Sequence, residues 1–205
     1  VPANQYITEG FFGYANDLPD LEYDPETARE LLAEAGYPEG FRITVNCTSD
    51  SQPMDAAVCA ALGPMLTQIG LTVEVEAIPR AVFFPGQATF QYSLMMNGWG
   101  SQTGEGSYIL STAFHTREEG SGFGGFNHYN YSNSEVDEAI ELATNELDAE
   151  TRRGLLEEAM TAAVEDLAAI PLVNLQSTWA GRGGMFEFTP RIDQETLGIS
   201  LVPTE

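Results

Sequence analysis

Lysine is absent from this chain, and its 8 basic residues are all arginines. They stand against 31 aspartates and glutamates, which gives a formal net charge of −23 at pH 7. A surface of this sign repels the phosphates of nucleic acids and of anionic lipids. The charge therefore excludes nucleic acid as a partner. A solvated surface and adaptation to a saline habitat explain the acidity equally well, and composition alone leaves both interpretations open.

Features that mark several other classes of protein are also scarce. No apolar run approaches the roughly 20 residues that cross a membrane as a helix. The two histidines, His115 and His128, lack the spacing of zinc ligands with either cysteine. No nucleophile elbow, Ser-His-Asp set or metal-hydrolase helix motif stands out. We therefore expect no catalytic residue, no metal site and no cofactor.

The segment from Leu21 to Phe41 predicts a capped helix followed by a turn. Asp24 is suited to cap the helix, and Pro25 suits its first position, where a missing N–H group costs nothing. Gly36 and the proline two residues later end the helix. Apolar side chains recur at helical spacing and predict one apolar face: Ala28, Leu31, Leu32 and Ala35.

A βαβ unit is predicted next. The pattern indicates a strand over residues 42–46, a helix over 55–69 and a second strand over 71–77, with Gly70 as the helix stop. A further strand is expected over residues 90–96.

The second half of the chain is predicted to contain two helices and one more strand. Ser132 and Glu135 have the spacing of a capping box, which would start the first helix. A long amphipathic helix follows Asp148 and ends near Asp166. The sequence Ala-Ile-Pro-Leu at residues 169–172 is expected to open a strand.

Several of these segments are similar in sequence to one known family. The string LEYDPETARELLAEAGYPEGF (residues 21–41) resembles the extracellular solute-binding proteins, family 5, which supply dipeptides and oligopeptides to ABC importers. Further similarities are spread along the chain: Leu-x-x-Ile-Gly-Leu-x-Val at 66–73, Tyr-Ser-Asn-Ser-Glu-Val-Asp at 131–137, Ile-Pro-Leu at 170–172, Trp-Ala-x-Arg-x-Gly at 179–184 and Pro-Arg-x-Asp at 190–193.

The resemblance implies an α/β fold, namely a periplasmic-binding-protein-like lobe with a mixed sheet flanked by helices. Members of the family are longer than 205 residues and are exported. We therefore expect a carboxy-terminal fragment, with residues 1–170 as the second ligand-binding lobe and residues 171–205 as terminal strands that cross towards the absent first lobe. The alternative is a complete small protein descended from that lobe.

The function that the resemblance implies is binding without catalysis. The chain would be the substrate-binding component of an ABC importer, a monomer that captures a peptide or peptide-like solute for a membrane permease. Its location would be periplasmic or extracellular, with membrane association only through the transporter. Two alternatives from other classes are a hydrolase acting on a small solute and a stand-alone interaction domain derived from the lobe.

The residues expected to bind the solute follow the strand at 90–96. Asn97, Gly98, Trp99 and Gly100 combine a flat apolar side chain with glycines that let a ligand backbone approach closely. The residues alone favour a core position for Trp99 and an ordinary loop role for the glycines. In the resembled family the Gly-Trp dipeptide lines the ligand cleft, which favours a binding role.

The sequence departs from the family three residues after the tryptophan. Peptide-binding members have an aspartate there that pairs with the α-ammonium group of the ligand, whereas this chain has Gln102. An amide accepts a hydrogen bond without the added strength of a charge. Glu105 would supply the missing charge if the loop folds back; otherwise the solute differs from a peptide with a free amino terminus.

Cys47 and Cys59 lie at the end of the first predicted strand and in the following helix. A strand end and the next helix approach closely enough for a disulfide, which an oxidising compartment would maintain, and some family members carry a cysteine pair here. The alternative is two buried free thiols.

Overall fold

The structure, a computed structural model, describes residues 1–101, 103–191 and 196–204. The chain divides into two compact units. The inserted unit comprises Leu21–Trp99, and the split unit comprises Val1–Asp20 together with Gly100–Glu205.

The inserted unit is a small α/β layer. Its elements in chain order are α1 (Pro25–Glu34), β1 (Arg42–Thr48), α2 (Asp55–Gln68), β2 (Thr72–Ile78), α3 (Arg80–Ala88) and β3 (Leu94–Met96). The strands form a parallel sheet in the order β2-β1-β3. Val45 lies at its centre, opposite Val75 on one side and Leu94 on the other, and α2 packs against β1 and β2. The buried core of this layer is formed by Val45, Cys47 and Cys59.

The start and end of α1 are confirmed. The Asp24 carboxylate accepts hydrogen bonds from the Glu26 and Thr27 N–H groups at 3.1 and 2.9 Å. After the helix, Gly36 has a φ of 91°, which glycine adopts without the steric cost of a side chain. The predicted apolar face is not buried, however: α1 contributes no buried residue, and Leu31 is 59% exposed.

The strand predicted over residues 90–96 is confirmed only at its end, because β3 spans Leu94–Met96. Phe90 has a φ of 56°, outside the extended region, and its N–H group donates to the Gln87 carbonyl at 3.0 Å. The first residues of the predicted strand therefore form the turn that ends α3.

The split unit is mainly helical. Its elements are α4 (Ser107–Ile109), a π-helical turn (Leu110–Phe114), α5 (Ser134–Asn145), α6 (Ala149–Glu165), β4 (Phe186–Phe188), a 3₁₀ turn (Gly198–Ser200) and β5 (Leu201–Pro203). The helices α5 and α6 pack against each other, and β4 and β5 form an antiparallel pair. Leu110, Ile140, Leu156 and Met160 are fully buried in the helical core.

Two predictions in this unit need correction. The cap of α5 is Asn133 rather than Ser132, because the Asn133 side chain reaches the N–H groups of both Glu135 and Val136. Residues 169–172 do not enter a sheet; the adjoining Val173 forms an isolated bridge with Pro2. The helix after Asp148 is confirmed, and Asp148 caps it through the Thr151 N–H group.

The α/β class with parallel and antiparallel strand pairing is confirmed, and the two kinds of pairing lie in separate sheets. Among the helices described, none combines the length and apolar character needed to cross a lipid bilayer.

Candidate functional site

The carboxyl edge of the parallel sheet brings the predicted binding residues next to a second loop. The connection that leaves β1 leads to β2 on one side, whereas β3 lies on the other side of β1. In open parallel sheets, ligands bind outside the carboxyl ends of strands where the connections diverge in this way. The two loops at this point are residues 49–54 after β1 and residues 97–99 after β3.

The two loops touch. A Cβ atom on Gly98 would lie 3.1 Å from Cγ of Gln52, closer than a side chain comfortably allows. A glycine at position 98 therefore permits the loop after β1 to approach the loop after β3. Asn97, Gly98 and Gln52 are exposed, while Trp99 is half-buried with its indole N–H group inside the protein.

A buried carboxylate shapes the loop after β1. Asp55, only 8% exposed, accepts hydrogen bonds from the Ser51 N–H group at 3.2 Å, from the Gln52 N–H group at 2.6 Å and from the Thr48 hydroxyl group. These bonds satisfy the carboxylate and the backbone donors of the loop together. The position of Gln52 beside Gly98 thus depends on Asp55.

A covalent link closes the same loop. Cys47 at the end of β1 and Cys59 in α2 form a disulfide with an S–S distance of 1.96 Å, and both residues are fully buried. The ring that they close contains residues 49–54 and Asp55. The loop is therefore held by a bond at its base and by hydrogen bonds along its length.

The remaining predicted site residues belong to the split unit. Gly100 is exposed and has open space where a side chain would lie. Gln102 lies outside the described residues. The Glu105 carboxylate is half-buried and accepts hydrogen bonds from Arg152 Nη2 at 2.8 Å and from the Ser107 hydroxyl group at 2.7 Å. The Arg152 hydrogen bond, aided by Ser107, lowers the pKa of Glu105 below its usual value.

These partners bear on the suggestion that Glu105 binds an ammonium group. Its charge is already matched by a guanidinium group of the same unit, so a ligand would have to compete with Arg152 for it. The contacts favour an internal role for Glu105.

The residues that sequence reasoning missed are Gln52, Asp55 and Arg152. Asp55 follows a polar run of Ser, Asp and Gln after a strand, which is a weak signal for a carboxylate that caps a loop. Gln52 and Arg152 carry no local signal, because their partners lie 46 and 47 residues away along the chain.

No group of three or more His, Cys, Asp or Glu side chains suited to hold a metal ion occurs within residues 1–101, 103–191 and 196–204. His115 is buried, its Nδ1 atom lies 2.7 Å from the Thr116 carbonyl oxygen, and its ring stacks on Phe123 with centroids 4.3 Å apart. His115 therefore has a packing role.

The architecture is that of an α/β protein in which two loops meet at the carboxyl edge of a parallel sheet. Residues 1–121 match the family model of the bacterial extracellular solute-binding proteins, family 5 (middle region). The chain belongs to that family.

Among curated relatives, the glutathione-binding protein GsiB of Salmonella choleraesuis (strain SC-B67) is 32% identical over 165 residues, which cover 78% of this chain and 32% of the relative. The chain spans about a third of the length of the curated relatives it matches.

Two solved structures share the fold. The ABC transporter-associated periplasmic binding protein DppA from Helicobacter pylori, in complex with the peptide STSA, matches with a TM-score of 0.74 and 24% identity over 83% of this chain and 33% of its own. A dipeptide-binding protein from Pseudoalteromonas sp. SM9913, in complex with Met-Leu, matches with a TM-score of 0.73 and 21% identity over 84% of this chain and 34% of its own.

The matched family and relatives are binding proteins rather than enzymes, in agreement with the prediction. The family is extracellular by description, and the expected class of compartment is confirmed to that extent.

Proposed function

We propose that this chain captures a peptide or peptide-like solute as part of the substrate-binding component of an ABC importer. The observation that carries the proposal is the position of Gly98 and Trp99 at the carboxyl edge of the parallel sheet, where β2 and β3 lie on opposite sides of β1 and the strand order reverses. Glycine there leaves backbone accessible, and an indole ring provides a flat apolar surface for an extended ligand.

The relatives support a peptide-like solute. One is named for glutathione, and two structural neighbours hold short peptides. The residues proposed to contact the solute are Asn97, Gly98, Trp99, Gly100 and Gln102. Glu105, the remaining residue predicted for the site, already pairs with Arg152.

The chain would contribute one of two lobes. Residues 1–170 would form the second lobe and residues 171–205 the segment that crosses to the first. Closure of two lobes around a solute is a hinge motion that conceals the ligand and changes the surface offered to a permease. The protein would act as a monomer and associate with the membrane through that permease.

A binding titration tests the proposal. We expect the full-length protein to bind at least one of reduced glutathione, Ser-Thr-Ser-Ala and Met-Leu in isothermal titration calorimetry without converting it. Trp99→Ala should weaken binding by about 2 kcal/mol, as expected for a buried aromatic anchor. Trp179→Ala is the matched control, because Trp179 is distant from the proposed site residues along the chain. Trp179 packs on Phe188, and its indole N–H group donates a hydrogen bond to the Thr196 hydroxyl group.

The isolated chain provides a second comparison. It should bind the same probe far more weakly than the full-length protein, because one lobe alone buries less of the solute. Equal affinity would show that the chain is a complete receptor. Hydrolysis of a probe would indicate an enzyme, and equal loss in the two tryptophan variants would place the site elsewhere.

A further inference from the structure

Arg152 ties the segment that follows Trp99 to the helices of the split unit. Its Nη2 atom donates to Glu105 Oε2 at 2.8 Å, and its Nε atom donates to the Ala143 carbonyl at 3.1 Å. Ala143 lies in the last turn of α5, where a positive charge is favoured by the helix dipole. One guanidinium group from α6 therefore joins α5 and Glu105.

The backbone around Glu105 is also held. The Phe12 N–H group donates to the Gly104 carbonyl at 3.0 Å, and the Gly106 N–H group donates to the Phe12 carbonyl at 2.9 Å. The Arg152 guanidinium carbon lies 5.5 Å from the centre of the Phe12 ring. The same arginine thus covers the residue that anchors the backbone on both sides of Glu105.

The segment is closed locally as well. The Ser101 hydroxyl group donates to the Glu105 carbonyl at 3.0 Å and lies 3.1 Å from the Thr103 hydroxyl oxygen. Ser101 is thereby joined to the backbone of Glu105 by a hydrogen bond.

The charge composition makes this pairing informative. The chain has 8 arginines for 31 side-chain carboxylates, so guanidinium groups are scarce relative to carboxylates. The Arg152 and Glu105 side chains are 23% and 33% exposed, whereas the neighbouring pair Arg153–Glu150 is 43% and 77% exposed. A partly buried pair with several hydrogen bonds holds its geometry better than an exposed pair.

We infer that Glu105 and Arg152 are positioning residues that hold the backbone of residues 104–106, which follow the proposed binding residues in the chain, and that Glu105 does not itself contact the solute. This inference rests on the proposed function. It assigns the Glu105 carboxylate to internal support and leaves solute recognition to the other proposed binding residues.

The test compares four variants of the full-length protein: Arg152→Met, Glu105→Ala, the double variant and Arg153→Met. Arg153→Met is a stringent control, because the Arg153 guanidinium carbon also lies 5.1 Å from the centre of the Phe12 ring. Hydrogen exchange of the Phe12 and Gly106 amides reports the anchoring, and exchange of buried α6 amides reports global stability. Calorimetry with the three probes named above reports solute binding.

We expect Arg152→Met and Glu105→Ala each to speed exchange of the Phe12 and Gly106 amides and to weaken probe binding by roughly tenfold. The double variant should lose no more than either single variant, because the two residues act as one unit. Arg153→Met should leave both readouts unchanged. If Glu105→Ala unfolds the protein, Glu105→Gln, which keeps an acceptor, should show a smaller loss of the same kind.

Unchanged amide exchange in Arg152→Met would overturn the inference, and so would faster exchange with full probe affinity. An additional loss when Glu105→Ala is introduced into Arg152→Met would show that Glu105 contacts the solute directly, which also overturns it. Absence of probe binding by the unmodified protein would overturn the proposed function instead. The exchange of the Phe12 and Gly106 amides would then test only whether Arg152 and Glu105 anchor the backbone.

Discussion

At the scale of single residues, Asp55 holds the loop after β1 in place. Its carboxylate serves three donors of residues 48–52 from a nearly buried position. Removal of the acceptor would leave the N–H groups of Ser51 and Gln52 without their partner, and an unmet hydrogen bond costs more than the same bond contributes when made.

We expect Asp55→Ala to lower the free energy of unfolding by about 2 kcal/mol. Urea unfolding followed by circular dichroism measures the loss. Asp50→Ala is the matched control, because the exposed Asp50 carboxylate accepts a backbone hydrogen bond from Arg80 at 2.7 Å. A loss no larger than in the control would contradict the role assigned to Asp55.

We propose that position 102 determines whether the amino terminus of a solute is recognised. We expect Gln102→Asp to maintain or improve affinity for a bound peptide with a free α-ammonium group, since a charge-assisted hydrogen bond is stronger than a neutral one. The same variant should weaken binding of the N-acetylated peptide, because it leaves a carboxylate desolvated without a positive partner.

Calorimetry with the free and N-acetylated forms of one peptide gives the comparison. Gln91→Asp introduces the same charge at an exposed position in the turn after α3 and controls for net charge. Equal responses to the two peptides would mean that position 102 does not face the amino terminus of the solute.

At the scale of elements, the disulfide joins β1 to α2 across the loop that meets Gly98. We expect the native exported protein to contain this bond, and we expect the double variant Cys47→Ala/Cys59→Ala to be less stable by about 3 kcal/mol according to chain entropy. Intact mass after alkylation without reductant should show no modified thiol. Two alkylated cysteines would contradict the prediction.

The first segment of the chain is attached to the end of α6 through Tyr6. Its hydroxyl group lies 3.1 and 2.9 Å from the carbonyl oxygens of Ala163 and Ala169, and it accepts a hydrogen bond from the Ala169 N–H group. Burial raises the pKa of Tyr6 from its ordinary value of 10.0 to about 12. The folded protein therefore keeps this proton over a pH range in which the unfolded chain releases it.

The resulting stability is fully present below pH 10 and is lost as the pH rises through about 12. We expect the urea midpoint of the unmodified protein to fall more steeply between these pH values than that of Tyr6→Phe, which lacks the ionisable group. Tyr37→Phe, at a position that is 51% exposed, is the control. If the urea midpoints of the protein and of Tyr6→Phe fell equally with pH, the stabilising effect assigned to the protonated Tyr6 hydroxyl group would be refuted.

At the scale of the whole molecule, the net charge of −23 opposes compaction. We expect the melting temperature to rise with sodium chloride, because salt near physiological ionic strength reduces the range of repulsion to about 8 Å. Differential scanning fluorimetry from low salt to about 1 M measures the effect, with choline chloride as a control for specific sodium binding. A flat or falling melting temperature would contradict it.

The sequence alone determined the features whose partners lie within a few residues. Asp24 was predicted as a cap because its carboxylate meets N–H groups two and three positions ahead. The helix predicted after Asp148 also begins with a short-range cap, three positions from its donor. The same short range explains the error at α5, where Ser132 and Asn133 are both good caps and only the folded geometry selects Asn133. The predicted start of β3 was wrong, because the turn after α3 includes residues whose sequence pattern is typical of a strand.

The candidate site shows the same division. Gly98 and Trp99 were identified from their residue types and from sequence similarity to the family. In contrast, the sheet order β2-β1-β3 places Gly98 against Gln52, and the packing of α6 brings Arg152 to Glu105. Local hydrogen bonding and side-chain periodicity act over about four residues and can therefore be read from the chain. Contacts between residues 46 or 47 positions apart depend on how whole elements bury their apolar faces, and only the tertiary structure decides that.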